Sequence, residues 1–410
     1  MRFREITREA GIDSPSWGAS AAFVDIDGDG LLDLLIVNYV DYDPSWPCST
    51  PGGLTDFCAP KVFEGTASKL YRNRGVGADG KVTFEDISYS SGVGTRAAPG
   101  LGVVCADLTG GGRQDLFIAN DGAPNHLWVN KGKGVFAEEA VSRGVAYTAM
   151  GQAYAGMGVA AGDVDGDGLL DLFVTHLGSE TNTLWKQGPR GLFRDRSADS
   201  GLTRTHWRGT GFGTALADFD HDGRLDLALV NGRVQRGGSA KGSGLPAFWE
   251  TYAERNQLLA GTADGFRDIS LDCPGLCDRY NVGRGLCVGD IDGDGALDLV
   301  ITAVAGPVRL LRNVVPDRGH WVIVRAFEPR LKRDALGATV TARAGERRWL
   351  RLVTSASGFL CACPPEVHFG LAETDRIDSF EVTWADGVRE TFAGGAADRR
   401  ITLRRGEGKR

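Results

Sequence analysis

One nine-residue pattern recurs along this chain and constrains it more than anything else. "DIDGDGLLD" begins at Asp25, "DVDGDGLLD" at Asp163, "DFDHDGRLD" at Asp218 and "DIDGDGALD" at Asp290. A decayed copy, "DLTGGGRQD", begins at Asp107. The closest copies lie about 55 residues apart, so the chain is built from a repeated unit with insertions. Each of the four intact loops gathers aspartates at positions 1, 3, 5 and 9. They would repel one another at about 4 kcal/mol per close pair for an effective dielectric of 20. An isolated acidic turn can be solvated, but four in register call for a cation.

The flanks of the loop decide which kind of cation loop it is. Before it stands a Gly-x-Gly register, at Gly100/Gly102, Gly156/Gly158, Gly211/Gly213 and Gly283/Gly285, with Gly18 and Ser20 in the first copy. After it come a short apolar strand ("LLIVN", "LFIAN", "LFVTH", "LALVN", "LVITA"), a third strand ("LYRN", "LWVN", "LWKQ", "LLAG", "LLRN") and a Phe-led fourth ("FEDIS", "FAEEA", "FRDRS", "FRDIS"). Four short strands per unit, broken by Gly and Asn turns, predict propeller blades. An EF-hand would need flanking helices and a glutamate at position 12. That position holds Ile36, Val174, Leu229 and Ile301, all in strands.

The ligand set follows by position. Carboxylates are expected from Asp25, Asp27, Asp29 and Asp33; Asp163, Asp165, Asp167 and Asp171; Asp218, Asp220, Asp222 and Asp226; and Asp290, Asp292, Asp294 and Asp298. Backbone carbonyls at Leu31, Leu169, Arg224 and Ala296 complete an all-oxygen shell, which suits calcium better than magnesium. About four calcium ions are expected. In the decayed copy, Thr109 and Gly111 replace two aspartates, leaving Asp107 and Asp115 and no expected ion. Four divalent ions would more than offset the net charge of −7. That charge argues against nucleic acid as a partner. No apolar run is long enough for a membrane span. The N-terminus has no apolar signal core, so a cytoplasmic chain is expected if Met1 is the true start. An extracellular or periplasmic one is expected if a signal was removed.

These units resemble FG-GAP/VCBS repeats, the calcium-loop blades of integrin α-chain propellers. The tail resembles an ASPIC/UnbV domain, through "GHWVIVRA" (319–326), "ALGATVTARAG" (335–345), "SGFL" (357–360), "VHFGL" (367–371) and "VTWADG" (382–387). Together they resemble the cartilage acidic protein family; "CACPP" after "SGFL" departs from its pattern. The expected fold is all-β: a five-bladed, integrin-α-like propeller over 1–315 and a β-rich ASPIC/UnbV-like domain over 316–410. The N-terminal "FREIT" (3–7) would complete the last blade, which lacks a Phe-led strand. The alternative is seven blades, with the C-terminal strands supplying two.

If the cation loop joins strands one and two, the long insertions 39–68 and 232–256 fall on the opposite face. Their aromatics, Trp46, Trp249 and Tyr252, are the expected ligand face for a protein, glycan or small molecule. No catalytic signature is complete. His126, His176 and His206, from three units, are candidates for a cluster. Arg284, alone in a register otherwise filled by Ala19, Leu101, Met157 and Phe212, is a candidate for an anion or an acid. Cys48 with Cys58, and Cys273 with Cys277, are candidate bridges; Cys105 and Cys287 read as buried thiols. Two function classes stay open. One is a calcium-stabilised binding or adhesion module. The other is a calcium-dependent enzyme or accessory protein, such as a cyclase, of bacterial specialised (enediyne-like) metabolism, which the UnbV resemblance implies.

Overall fold

A computed structural model describes residues 3–410. Five antiparallel sheets follow one another along the chain, and each is one unit of the repeat. The first blade consists of Gly18–Val24, Asp33–Asn38, Lys69–Val76 and Val82–Asp86. The second runs from Gly100–Ala106 to Val135–Glu138, the third from Val159–Gly162 to Phe193–Asp195, and the fourth from Gly211–Ala217 to Gly265–Asp268. The fifth has three strands, Gly283–Gly289, Asp298–Ala303 and Arg309–Leu311.

Adjacent blades share cores. Leu35, Val37 and Leu70 of blade one pack with Val103, Leu116 and Trp128 of blade two, and comparable clusters join blades two to three, three to four and four to five. A backbone device recurs at the joints. Gly11, Gly92, Gly144 and Gly201 all have positive φ, and a Cβ on any of them would strike the carbonyl oxygen of Phe84, Phe136, Phe193 or Phe266, respectively, at 2.1–2.8 Å. Each is the phenylalanine of the next blade's fourth strand. Glycine is required there for both reasons.

The N-terminal expectation is corrected. Residues 3–7 form no strand and do not pair with blade five, and Phe3 is 99 % exposed. The turn that follows is docked on blade one instead, with the Phe84 N–H donating to the Ala10 carbonyl at 2.7 Å. Among the described residues no hydrophobic cluster joins blade five to blade one. The seven-bladed alternative is also not what forms. The C-terminal strands make two four-stranded sheets that bury Val322, Val340, Phe369, Phe380 and Val382 against each other as a sandwich.

From this sandwich a hairpin over residues 355–363 enters the propeller axis. Gly358 exchanges two backbone hydrogen bonds with Val159, and Ala356 pairs with Ala362. Phe359 sits at the tip, packed among Ala19, Leu101, Met157 and Phe212, with its ring 4.8 Å from that of Phe212. The "SGFL" motif therefore supplies the plug of the propeller.

Candidate metal centres and the two faces

The five loops share one internal geometry. The first aspartate accepts the N–H of the glycine at position 6, at 2.9–3.0 Å in Asp25, Asp107, Asp163, Asp218 and Asp290. In the four intact copies the fifth-position aspartate accepts the N–H of Leu31, Leu169, Arg224 or Ala296. Glycines at positions 4 and 6 take positive φ, and in the fourth loop His221 adopts φ 62° in glycine's place.

The carboxylates converge as four groups whose ligand oxygens lie within 4.8 Å of one another: Asp25/Asp27/Asp29, Asp163/Asp165/Asp171, Asp218/Asp220/Asp226 and Asp290/Asp292/Asp294. These groups fit a hard divalent cation. Every donor is oxygen, and Asp163 Oδ1 and Asp218 Oδ1 are buried without a hydrogen-bond partner. Burial raises Asp33 and Asp163 to about 6, Asp226 to about 7, and Asp171 and Asp218 to about 8. Clustered carboxylates held out of water resist ionisation until a cation compensates them.

The ninth-position aspartate has a second role that the repeat pattern concealed. Both oxygens of Asp33 are engaged, by the N–H of Ile26 and of Asn73 in the third strand. Asp171, Asp226 and Asp298 repeat this with Val164/Gln187, Phe219/Gly261 and Ile291/Asn313. So does Asp115, with Thr109 and Asn130. That role explains why the decayed loop retains its last carboxylate after losing Asp at positions 3 and 5.

The loop face is covered by the sandwich. Arg333 reaches Asp25 at 3.5 Å and the Gly30 carbonyl at 3.3 Å in loop one. Gln114 donates to Gly337 at 3.2 Å beside loop two, and Arg348 donates to Gly166 at 3.2 Å in loop three. In loop four, His221 contacts the Gly319 carbonyl through Nδ1 (2.9 Å), and its own carbonyl accepts the Ala372 N–H (2.8 Å). In loop five, His368 Nε2 lies 2.9 Å from the Gly295 carbonyl and Arg400 pairs with Asp290 at 2.7 Å. Buried Arg351 lies under the field of Asp218 and Asp163, its guanidinium bonded to the carbonyls of His368 and Leu350. A cavity of about 170 Å³ remains between propeller and sandwich, with Arg351, His368, Ser357 and Cys363 in its lining.

The opposite face carries the two insertions, which interlock. Tyr252 donates its hydroxyl to Asp56 at 2.6 Å, Arg236 donates to the Thr55 carbonyl at 3.1 Å, and Phe57 packs against Phe248, Trp249 and Tyr252. A disulfide, Cys48–Cys58, braces the first insertion. Tyr252, expected on the ligand face, is fully buried and is a core residue of this junction; Trp249 is half-buried, and Trp46 is 57 % exposed. Trp17, Tyr42, Phe57 and Phe248 are also exposed on large aromatic surfaces, and Tyr42 packs edge-on to Trp17 and Phe63.

The remaining candidates are not brought together. His176 is buried against Thr183 Oγ1 at 2.9 Å, and burial lowers it to about 4. His126 packs edge-on to Trp128, with burial lowering it, and His206 is exposed. Among the described residues no metal-ligating group includes any of the three. Arg284 makes no ion pair with an acid among the described residues. It donates to the carbonyls of Gly232, Gly283 and Arg233 and stacks 4.0 Å over Phe212, and burial lowers it to about 10. Cys273 and Cys277 are free thiols, Cys105 is buried, and Cys287 is partly exposed.

The FG-GAP-like repeat family matches residues 107–174 and 163–229, and the family described as ASPIC and UnbV matches residues 328–410. Cartilage acidic protein 1 of Mus musculus is 29 % identical over 390 residues, covering 92 % of this chain and 53 % of that protein. The Xenopus tropicalis protein of the same name is 28 % identical over 390 residues (93 % and 54 %), and the Homo sapiens one is 28 % identical over 395 (93 % and 52 %). The chain spans about half the length of the curated relatives it matches. Among solved structures, the V. cholerae biofilm matrix protein Bap1 aligns at TM-score 0.36 with 13 % identity, over 94 % of this chain and 60 % of that one. An Agrocybe aegerita lectin specific for non-reducing terminal N-acetylglucosamine aligns at 0.34 with 16 % identity, over 73 % and 81 %. At these scores neither likeness carries weight. No helix of the described residues is long and apolar enough to cross a membrane.

Proposed function

We propose, from the premise that this chain carries FG-GAP-like repeats ending in an ASPIC and UnbV domain, that it is a calcium-stabilised interaction module working through its insertion face. The observation that carries this reading is the asymmetry of the two faces. The loop face is covered by the chain's own sandwich, whereas the insertion face presents Trp17, Tyr42, Trp46, Phe57 and Phe248 to solvent. Exposed aromatics on a braced scaffold offer rigid contact area at low entropic cost, which suits a protein or glycan partner. Calcium is the favoured ion because flexible, carboxylate-rich shells match its coordination. Its role is to hold the loops and the domain packed over them, with the insertion face left available for recognition. The Cys48–Cys58 bridge favours an oxidising compartment, hence a place outside the cytoplasm.

The test is an array of extracellular-matrix proteins and glycans probed with calcium-loaded protein and with a Trp46→Ala/Phe57→Ala/Phe248→Ala variant. Binding lost in the variant at unchanged calcium content supports the reading; binding that survives it overturns the assignment of the face. A second reading, small-molecule chemistry, draws on the cavity beneath the sandwich, where Arg351 Nη2 and His368 Nδ1 are buried without partners. Turnover or ligand binding abolished by Arg351→Met, with array binding intact, would favour it.

A further inference from the structure

The seam between blades five and one has no hydrophobic cluster of its own among the described residues, and the axial hairpin touches both sides of it. On one side Ala356 packs against the shared core of blades one and two. On the other the hairpin runs beside Gly283–Gly289, the inner strand of blade five. There the Cys287 thiol donates to the Ala362 carbonyl at 3.3 Å, and the Val288 N–H donates to Cys363 Sγ at 3.4 Å. Each sulfur is thus held by the backbone of the residue next to the other cysteine. Cys361 lies beside them, against Gly285, where a Cβ would meet its sulfur at 2.6 Å. Cys287, Cys361 and Cys363 are themselves ligands of no cation loop and lie outside both insertions.

We propose that Cys287 and Cys363 are a disulfide-forming pair that fastens the axial hairpin, and with it the C-terminal sandwich, to the open seam of blade five. Neither residue is fully buried, and Cys363 borders the cavity between propeller and sandwich, which gives a small-molecule disulfide such as oxidised glutathione a path to the pair. The neighbouring Cys287 thiol, with the Val288 N–H, pulls the Cys363 thiol down, making it the attacking thiolate. Attack on the oxidant forms a mixed disulfide and expels one glutathione thiolate. Cys287 then loses its proton and attacks the Cys363 sulfur, expelling the second. Two protein thiols thus lose two electrons and two protons, and the oxidant leaves as two thiols. Cys105, buried and pushed up to about 12, takes no part. The bond would close the chain between residues 287 and 363, so noncovalent docking of the sandwich would become permanent.

The full chain, equilibrated in a glutathione redox buffer, is quenched with N-ethylmaleimide, digested and mapped by mass spectrometry. The expected result is a linked peptide pair containing Cys287 and Cys363, with Cys105 and Cys361 alkylated. In parallel, cleavage in the exposed connection around Val314 should leave fragments joined on a non-reducing denaturing gel and separated after reduction. The Cys287→Ser variant should give separated fragments in both lanes while retaining the wild-type circular dichroism. Alkylation of both Cys287 and Cys363 under conditions that oxidise Cys48 and Cys58 would overturn the proposal. A Cys287–Cys361 linkage would overturn it equally, as would fragments that separate without reductant.

Discussion

The two faces of this propeller solve opposite problems with the same scaffold. The loop face is repetitive, acidic and covered: five copies of one turn meet a single sandwich that supplies Arg333, Arg348, Arg351 and Arg400 to or beneath the loops. The insertion face is irregular, aromatic and open, braced by one disulfide and by Tyr252 on Asp56. On the proposed function, the difference separates cohesion from recognition. Where every blade contributes an equivalent turn, the surface is spent on holding the molecule together. Where two blades break the pattern, the surface is left for something else.

Removing the cations should produce the largest effect. An ion that binds only the native state adds about 2.7 kcal/mol per site at a hundredfold excess over Kd, so melts with calcium and with chelator should differ by many degrees. Identical melts would erase the distinction between the faces. On the open face, burial makes a sharp internal contrast. Tyr252→Ala should cost about 3–5 kcal/mol, as for a large core aromatic, whereas Trp46→Ala should stay within about 0.5 kcal/mol. Urea unfolding of the two variants measures this directly, and equal losses would show the insertions to be one packed unit.

The decayed loop sharpens the other side. Asp115→Ala should cost about 1–3 kcal/mol by leaving the N–H groups of Thr109 and Asn130 unpaired, without changing the ion count in native mass spectrometry. Asp218→Ala should remove one ion. The smallest effect is on pH dependence. Without cations, Asp171 and Asp218 titrate at about 8 in the fold, far above an unfolded carboxylate. Their protonated forms favour the fold, so that contribution is present at acid pH and lost as pH rises toward 8. Cations compete with those protons, so calcium affinity should strengthen from pH 6 to pH 8; a flat profile would place the ion elsewhere.

The repeated features were legible because repetition exposes them. The loop recurs in all five copies, the four-strand order in the first four and the Gly-x-Gly register in the last four, and each copy folds as one sheet. The register Ala19, Leu101, Met157 and Phe212 was legible too, but not what fills it, since Phe359 arrives from a distant hairpin. Ring closure by "FREIT" failed because a local contact, Ala10 with Phe84, fixes that segment on blade one. Tyr252 looked like surface because loop aromatics usually are, but Asp56 and Phe57 of the other insertion bury it. The sandwich's position over the loops depends on single arginines and backbone carbonyls, which leave no periodic trace.

Amide hydrogen exchange with and without calcium tests the separation of the faces most directly. Chelation should deprotect the amides that join sandwich to propeller, including Ala372 on the His221 carbonyl and Gly358 on Val159. Amides within the insertions, such as Arg233 on the Tyr252 carbonyl and Asp56 on the Cys48 carbonyl, should keep their protection. Equal deprotection of both sets, or an interface indifferent to calcium, would contradict the account.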